Sequence, residues 1–594
     1  MAVTFLPNKP LRALFCSLLS CIFYFSANAQ QPPYFQWVKG LQGYHDAQWG
    51  AFNWGSAIKA DAKGNVFIAG SFIRSVDFDP DDKKVDSQSS YPYWGGYFAK
   101  YDSLGNHIWA RVTKGTEVMC LHVDDSGYIY IGGRYHDTTD FDPGPGKQSL
   151  PVKGGNGDFF VAKYSPAGEF KWVRGSGGTN GDMVNGVMAD NQGNVYITGG
   201  MHGSAVDFNE RSPGTVVYQT AVIDGFVAKY DRNGNYLWSK QINGNDGDVG
   251  NGITQDASGN IYVAGYSNGA KFDGTPASFV PGKFTGTFTH DAFIAKYTNT
   301  GTFLWAKMVG SPGEDLGQGL ALDKSGNILL TGIFTNTVVF DSSIAGARIT
   351  ANSYTGDAFV AKFTNSGAFL WAKGYGGRLG ANRGNAVAVD DSANVFVGGY
   401  FSDSANFNPG GAPASVSVAF NGLDIFLVKL RPDGSYAWSK AYGNRGADEI
   451  RSIYLDKKYN IYFTGYIGRT TTFEPGTGGS VVVNNPNPND FQNTIFCKYA
   501  QVKPIVNSVA GIGNLALRAY PNPVGTQMII DGTGAGSRIV PVVTDVAGKQ
   551  YHLPYTSTTG RITIQTGTLA PGIYFVRCTD EAGNSGIVKM LKTE

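Results

Sequence analysis

Tryptophan recurs along this chain at Trp37, Trp109, Trp172, Trp238, Trp305, Trp371 and Trp438, with separations of 72, 63, 66, 67, 66 and 67 residues. Self-similarity at a near-constant period marks a repeat architecture and constrains the fold more tightly than any average property. Seven anchors predict seven units. The unit around Trp305 reads as four strands: Gly252–Asp256 turns through Ala257-Ser258-Gly259 into Asn260–Tyr266, a long connection leads to Asp291–Tyr297, and a turn at Asn299-Thr300-Gly301 leads to Thr302–Lys307. Apolar alternation between Gly-marked turns is a strand signature. Composition agrees: 81 Gly, 13% aromatic and only 16% charged residues describe a turn-rich, aromatic-packed β protein.

The ends of the array carry further information. The chain opens with a lone strand around Tyr34–Lys39 and closes with Ile450–Asp456, Asn460–Ile467 and Thr494–Tyr499, a unit without its Trp strand. One strand plus three makes a unit, so the N-terminal strand is expected to complete the last blade of a closed ring, leaving no unpaired blade between the ends. The fold class predicted is an all-β, seven-bladed β-propeller with N-/C-terminal strand closure, followed by a small β-sandwich. The first hairpin repeats Asp-x-x-Gly-Asn at Asp61, Asp190, Asp256 and Asp323, where a carboxylate can accept from the turn backbone while Gly takes positive φ. These acids are read as structural. Asn233–Trp238 is not the sialidase Asp-box, because Trp follows Gly by four positions instead of three.

The units resemble the SBBP repeat, the β-propeller repeat of secreted bacterial proteins, through Asp291–Tyr297 (DAFIAKY), Leu304–Lys307 (LWAK) and Gly326–Gly332 (GNILLTG). The resemblance spans residues 34 to 500 and implies a fold, not an activity. After Tyr499 the Trp period stops, residues 501–513 read as a linker, and 514–594 carry Tyr520-Pro521-Asn522-Pro523, Asp545–Lys549 (DVAGK) and Leu569–Val576 (LAPGIYFV) in order. That segment resembles the type A C-terminal sorting domain of the type IX secretion system of Bacteroidetes. The resemblance implies recognition by that machinery and release to the exterior or attachment to the cell surface.

The N-terminus supports the same route. Lys9 and Arg12 precede an apolar stretch, Ala13–Phe25, that ends at Ala27-Asn28-Ala29, the order of a cleavable secretory signal over residues 1–29. The apolar stretch is short for a membrane span, and none is expected in the mature chain, residues 30 onward. Cys16 and Cys21 lie in the signal, and the widely spaced Cys120, Cys497 and Cys578 form neither a disulfide framework nor a zinc site. A net charge of +1 without a basic run gives no purchase on nucleic acid, and a monomer is expected.

Function has to be sought in the loops. Short turns join the first strand to the second and the third to the fourth, so the long second-to-third connections and the links between blades share the other face, where a rigid scaffold carries binding. Two features stand out there. Asp182, Asp248, Asp315 and Asp448 end the blade links beside the innermost strands, with Asp46 near the equivalent place in the first. A ring of carboxylates could hold a calcium ion or a hydroxylated ligand, or could cap turns; Glu117 and Arg378 interrupt it. The second feature is Trp49, Trp54 and Trp94, outside the Trp period and predicted to gather at the first blade with Tyr91 and Tyr93. Such planes could stack on sugar rings or pack the loops.

No zinc-protease, nucleophile-elbow or phosphate-loop motif is present, and the seven His follow no repeat position. No catalytic residue, metal or cofactor is therefore assigned. The expected function is a secreted or surface binding protein that engages a polysaccharide or a surface protein. The alternatives are a glycan-active hydrolase or lyase using the link carboxylates as acid and base, and a purely structural surface repeat.

Overall fold

The computed structural model describes residues 32–592. The longer exceptions are 45–51, 273–289, 409–414, 418–421, 475–479, 486–491, 502–515, 534–538 and 581–584; the remaining gaps are three residues or shorter. The expected signal segment, Asp46 and Trp49 lie outside the described residues. The chain divides into two compact units, one over Gln30–Tyr499 and one that includes Ala500–Glu594.

Among the described residues of the larger unit, seven antiparallel blades follow one another, five of four strands and two with a fifth short strand at the edge. Their innermost strands are Asn53–Ala60, Thr116–Val123, Met183–Ala189, Val249–Gln255, Leu316–Leu322, Arg383–Val389 and Glu449–Leu455, here blades 1 to 7. Each innermost strand packs on the next, and that of blade 7 packs on that of blade 1. Blade 7 is composite: Glu449–Leu455, Asn460–Ile467 and Asn493–Ala500 are followed at the outer edge by Tyr34–Gly40. Across the junction of blades 7 and 1, Asn53 Nδ2 donates to Asn493 Oδ1 at 2.9 Å, while the backbone N–H of Thr494 donates to Asn53 Oδ1 at 2.7 Å.

The Trp period has a physical cause that becomes visible here. The outer-strand Trp of one blade lies over the turn between the third and fourth strands of the next, and its Nε1–H donates to that turn's backbone: Trp37 to Ser103 at 3.2 Å, Trp172 to Arg232 at 3.0 Å, Trp238 to Asn299 at 3.1 Å and Trp371 to Pro432 at 3.0 Å. The same turn holds a Gly at positive φ directly beneath the indole. A β-carbon on Gly301 (φ +83°) would stand 2.8 Å from Trp238, and one on Gly434 (φ +79°) 2.7 Å from Trp371. Trp and Gly are thus two halves of one latch between neighbouring blades. Trp37 completes it across the chain ends, over Gly105. Blade 7 has no such turn, so Trp438 is instead buried among Val38, Phe463 and Tyr499.

The first-hairpin acids serve the turn as expected. Oδ1 of Asp256 accepts from the backbone of Ser258 and Asn260, and Oδ2 accepts from Asn260 Nδ2 and the Tyr262 hydroxyl; Asp61, Asp190 and Asp323 accept in the same way from their own turns. One boundary differs from expectation. The innermost strand of blade 4 begins at Val249, not Gly252, because an extra residue at Asn251 interrupts the pairing pattern.

The C-terminal unit is a sandwich of two four-stranded sheets. Ala516–Tyr520, Gln527–Thr533, Arg561–Gln565 and Tyr555–Thr558 make one; Gln550–Tyr551, Ile539–Asp545, Gly572–Asp580 and Ser585–Lys592 make the other. Met528, Ile530, Ile562 and Ile564 from the first pack with Val543, Val576, Val588 and Met590 from the second, the alternating pattern of facing sheets. Cys120, Cys497 and Cys578 are free thiols and all are buried.

Candidate functional site at the channel mouth

Each innermost strand carries a β-bulge near its start, and a bulge re-aims one side chain without breaking the sheet. The extra residue is Ser56, Met119, Asn185, Asn251, Gln318, Asn385 or Arg451 in blades 1 to 7. All seven line a single cavity of about 460 Å³, together with Trp54, Glu117, Arg383 and Glu449 from the strand starts. Because the strand starts follow the blade links, this is the channel mouth on the loop face. Its volume falls in the range of small-molecule sites, about 300–1,000 Å³.

The wall is polar and cross-connected. Asn185 Nδ2 donates to Asn251 Oδ1 at 3.0 Å and to the Gly250 carbonyl at 3.3 Å, and Asn251 Nδ2 donates to the Gly317 carbonyl at 2.8 Å. Asn385 Nδ2 donates to the Ile450 carbonyl and to Glu449 Oε1, both at 2.8 Å. Each amide thus hands a hydrogen to the following blade. Glu117 is clasped by Arg134, whose Nε and Nη2 donate to its two oxygens at 2.9 and 3.1 Å, and by His136 Nε2 at 2.6 Å. Burial alone would raise the Glu117 carboxyl, but the hydrogen bonds and charges of His136 and Arg134 outweigh it and hold it below the usual range. Glu449 accepts from the Tyr466 hydroxyl at 2.7 Å, and the Arg451 guanidinium lies 5.7 Å from the centre of the Trp54 ring and 5.2 Å from that of Tyr466.

Of the aromatic residues expected to gather, the structure brings Trp54 and Trp94 together, edge to face with centroids 5.3 Å apart. Both are half-buried. Their setting differs from expectation: Trp54 belongs to the innermost strand itself, and Trp94 to the strand Ser87–Tyr101, which with Val66–Asp77 extends blade 1 as a long hairpin where a loop was expected.

Asp182, Asp248, Asp315 and Asp448 differ more from the ring proposed for them. All four are buried, and none lines the cavity. Asp182 accepts from the backbone of Gly178 and His202, each at 2.8 Å; Asp315 accepts from Ser311 and Thr335; Asp448 accepts from Asn444 and Gly468. Asp182, Asp315 and Asp448 thus tie the incoming link to the blade it enters. Each of the four also stands near a second buried acid at the start of a third strand, Asp158, Asp224, Asp291 or Asp424 respectively. Burial first, then the neighbouring carboxylate, pushes Asp182 and Asp315 up to about 7 and Asp248 and Asp424 up to about 8. At blade 6 the arrangement is Asn382 with Asp357, the amide donating at 3.1 Å, and at blade 1 it is Asn53 with Asn493. Among the described residues, no group of three or more His, Cys, Asp or Glu side chains is arranged to hold a metal ion.

The bulge residues were missed in the sequence, although a signal exists. Each link Asp is followed three positions later by the channel residue: Asp182 by Asn185, Asp248 by Asn251, Asp315 by Gln318, Asp448 by Arg451. The constant Asp drew attention away from its variable companion. A second cavity of about 460 Å³ on the short-turn face, lined by Asp124, Asp190, Lys163 and Arg232, is a by-product of the turns those acids cap.

The architecture defines an all-β propeller joined to a small sandwich. Residues 237–273 match the family model of the β-propeller repeat SBBP, and residues 518–592 match that of the secretion system C-terminal sorting domain. The chain thus carries an SBBP repeat and a type IX sorting domain, which marks it for export to the cell surface or beyond. It is 23% identical over 492 residues, 70% of its length, to an uncharacterized WD repeat-containing protein of Acanthamoeba polyphaga mimivirus, and 22% identical over 402 residues, 64% of its length, to the regulatory protein FlaEY of Caulobacter vibrioides. It spans only 35% and 40% of those two relatives. Among solved structures it is similar to the Neurospora crassa Pan2 WD40 domain, at 8% identity and a TM-score of 0.36 over 78% of this chain and 97% of that one. It is also similar to virginiamycin B lyase from Staphylococcus aureus, at 10% identity and a TM-score of 0.31 over 78% and 99%. No helix among the described residues is long and apolar enough to cross a membrane.

Proposed function

We propose that this is an exported, non-enzymatic binding protein whose propeller recognises a saccharide at the channel mouth of the loop face. One observation carries the reading: the Trp54–Trp94 pair borders a polar cavity to which all seven blades contribute side chains of differing chemistry. Half-buried aromatic faces beside fixed amides and guanidinium groups suit a ring that is apolar on its faces and hydroxylated at its edge. A glycan-cleaving reading has less support. The link acids are buried away from the cavity, Asp182, Asp315 and Asp448 hold backbone, and the mouth carboxylates Glu117 and Glu449 are already engaged by Arg134, His136, Tyr466 and Asn385.

The domain organisation proposed with it is a signal over 1–29, the propeller over 30–500, a linker over 501–513 and the sorting domain over 514–594. Glycan-array binding by the exported protein, lost in a Trp54→Ala, Trp94→Ala double variant that keeps its thermal midpoint, is the expected result. Equal binding by that variant would move the site elsewhere. Deleting residues 514–594 is expected to leave the protein in the periplasm, and normal export of the truncated chain would overturn the assigned route.

A further inference from the structure

The amide ring of the channel has one broken place. In blades 3, 4 and 6 the bulge residue is Asn, and its Nδ2 reaches a backbone carbonyl of the following blade. Blade 5 carries Gln318 there, one methylene longer, and its Nε2 is buried with no hydrogen-bond partner. The adjacent blade 6 contributes Arg383 to the same cavity, and its Nε–H is likewise buried without a partner. Orphaned buried donors are rare in native folds, because each forfeits its hydration without a replacement bond. Two on neighbouring blades, one of them charged, are short of one acceptor group.

The rest of the mouth does not supply it. Among the described residues, Glu117 is taken by Arg134 and His136, and Glu449 by Tyr466, Asn385 and Arg451. The Arg383 guanidinium acts on the phenols of Tyr266 and Tyr400 and hydrogen-bonds to Tyr400, which still leaves its Nε–H without a partner. Neither is an anion: burial raises both above the ordinary tyrosine value, and the guanidinium only opposes that rise.

We infer that the Arg383–Gln318 corner of the channel mouth binds the carboxylate of an acidic sugar residue, while Trp54 offers a face to the saccharide. This rests on the saccharide reading above and names its substrate class. A guanidinium Nε–H and an amide N–H that line one cavity from adjacent blades offer two donors to the two oxygens of a carboxylate, and a charge-assisted pair is about twice as strong as a neutral one. The neighbouring amides suit the hydroxyls of the same ligand. An acidic peptide would satisfy the corner equally, but it would leave the aromatic pair and the amide ring without a use.

The test is calorimetric titration of the full chain with trigalacturonic acid, its methyl ester and a Glu-rich peptide. The acid is expected to bind at least ~10-fold more tightly than the ester. Arg383→Gln should abolish that preference, whatever it does to the affinity for the ester. Gln318→Asn, which restores the amide of the other blades and so guards against simple misfolding, should narrow the acid-over-ester preference by ~3- to 10-fold. Equal affinity for acid and ester, or an undiminished preference in either variant, overturns the inference while leaving the saccharide reading in place. Binding of the peptide but of neither sugar overturns both in favour of a protein partner, and binding of nothing overturns both outright.

Discussion

The rim of the propeller and the mouth of its channel follow opposite rules. At the rim, the same Trp lies on the same Gly from one blade to the next, and the first-hairpin Asp accepts the same turn hydrogens. At the mouth, the equivalent bulge position is Ser, Met, Asn, Asn, Gln, Asn and Arg in turn. A contact that must recur between every pair of blades admits one solution, whereas a ligand meets each blade at a different atom. Within a repeat protein, uniform positions therefore report assembly and divergent ones report recognition.

The comparison breaks most severely if the rim is opened. Removing Tyr34–Gly40 bares the edge of Asn493–Ala500 and takes Trp37 off Gly105. The truncated protein is expected to aggregate or fail to fold, judged by size-exclusion chromatography and circular dichroism, and a soluble monomer of unchanged midpoint would show that this strand does not hold the ends together. Next in size is Gly301→Val, which forces a β-branched residue to positive φ beneath Trp238. A loss of ~3 kcal/mol in denaturant unfolding is expected, several times that of any single change at the mouth.

The buried acid pairs sharpen the contrast by pH. Asp182, Asp248, Asp315 and Asp424 are raised in the fold from an ordinary value of 3.8. Each favours the folded state while protonated, so their contribution is full below about pH 4 and is lost as pH climbs through about 7 to 8. The thermal midpoint should fall between pH 5 and pH 8.5, and Asp248→Asn should flatten part of that slope. A midpoint that rises over this interval would contradict the burial of these pairs.

Smaller again is Asp61→Ala, which removes the acceptor of the Lys63 and Asn65 backbone N–H groups and of Asn65 Nδ2; ~1 kcal/mol is expected. Smallest is Gln318→Asn, within ~0.5 kcal/mol of the unaltered protein by the same assay. A large loss there would mean that the mouth is part of the scaffold after all.

Much of this was legible in the residues. The Trp interval, the four-strand unit and the orphan first strand stated the blades and their order, because strand alternation and Gly turns are local. The C-terminal segment announced itself through Asp545–Lys549, where Gly548 takes positive φ and Asp545 accepts the Lys549 N–H. Site residues were harder. Asp182 and its counterparts look equally suited to ligand or backbone in a sequence, and only their burial among link N–H groups decides. Trp54 lies edge to face with Trp94, and its position in the channel wall depends on the bulge at Ser56 and on the closing of the ring around it.

The sequence by itself determined the repeat, its period and the residue types that latch one blade to the next, since these depend on spacing and on which residues tolerate a tight turn. Only the tertiary structure decided which side chains share the channel mouth. Seven residues separated by about sixty-five positions each become neighbours solely because the blades are arranged in a ring, and whether a donor such as Gln318 Nε2 or Arg383 Nε is satisfied depends on atoms from different blades.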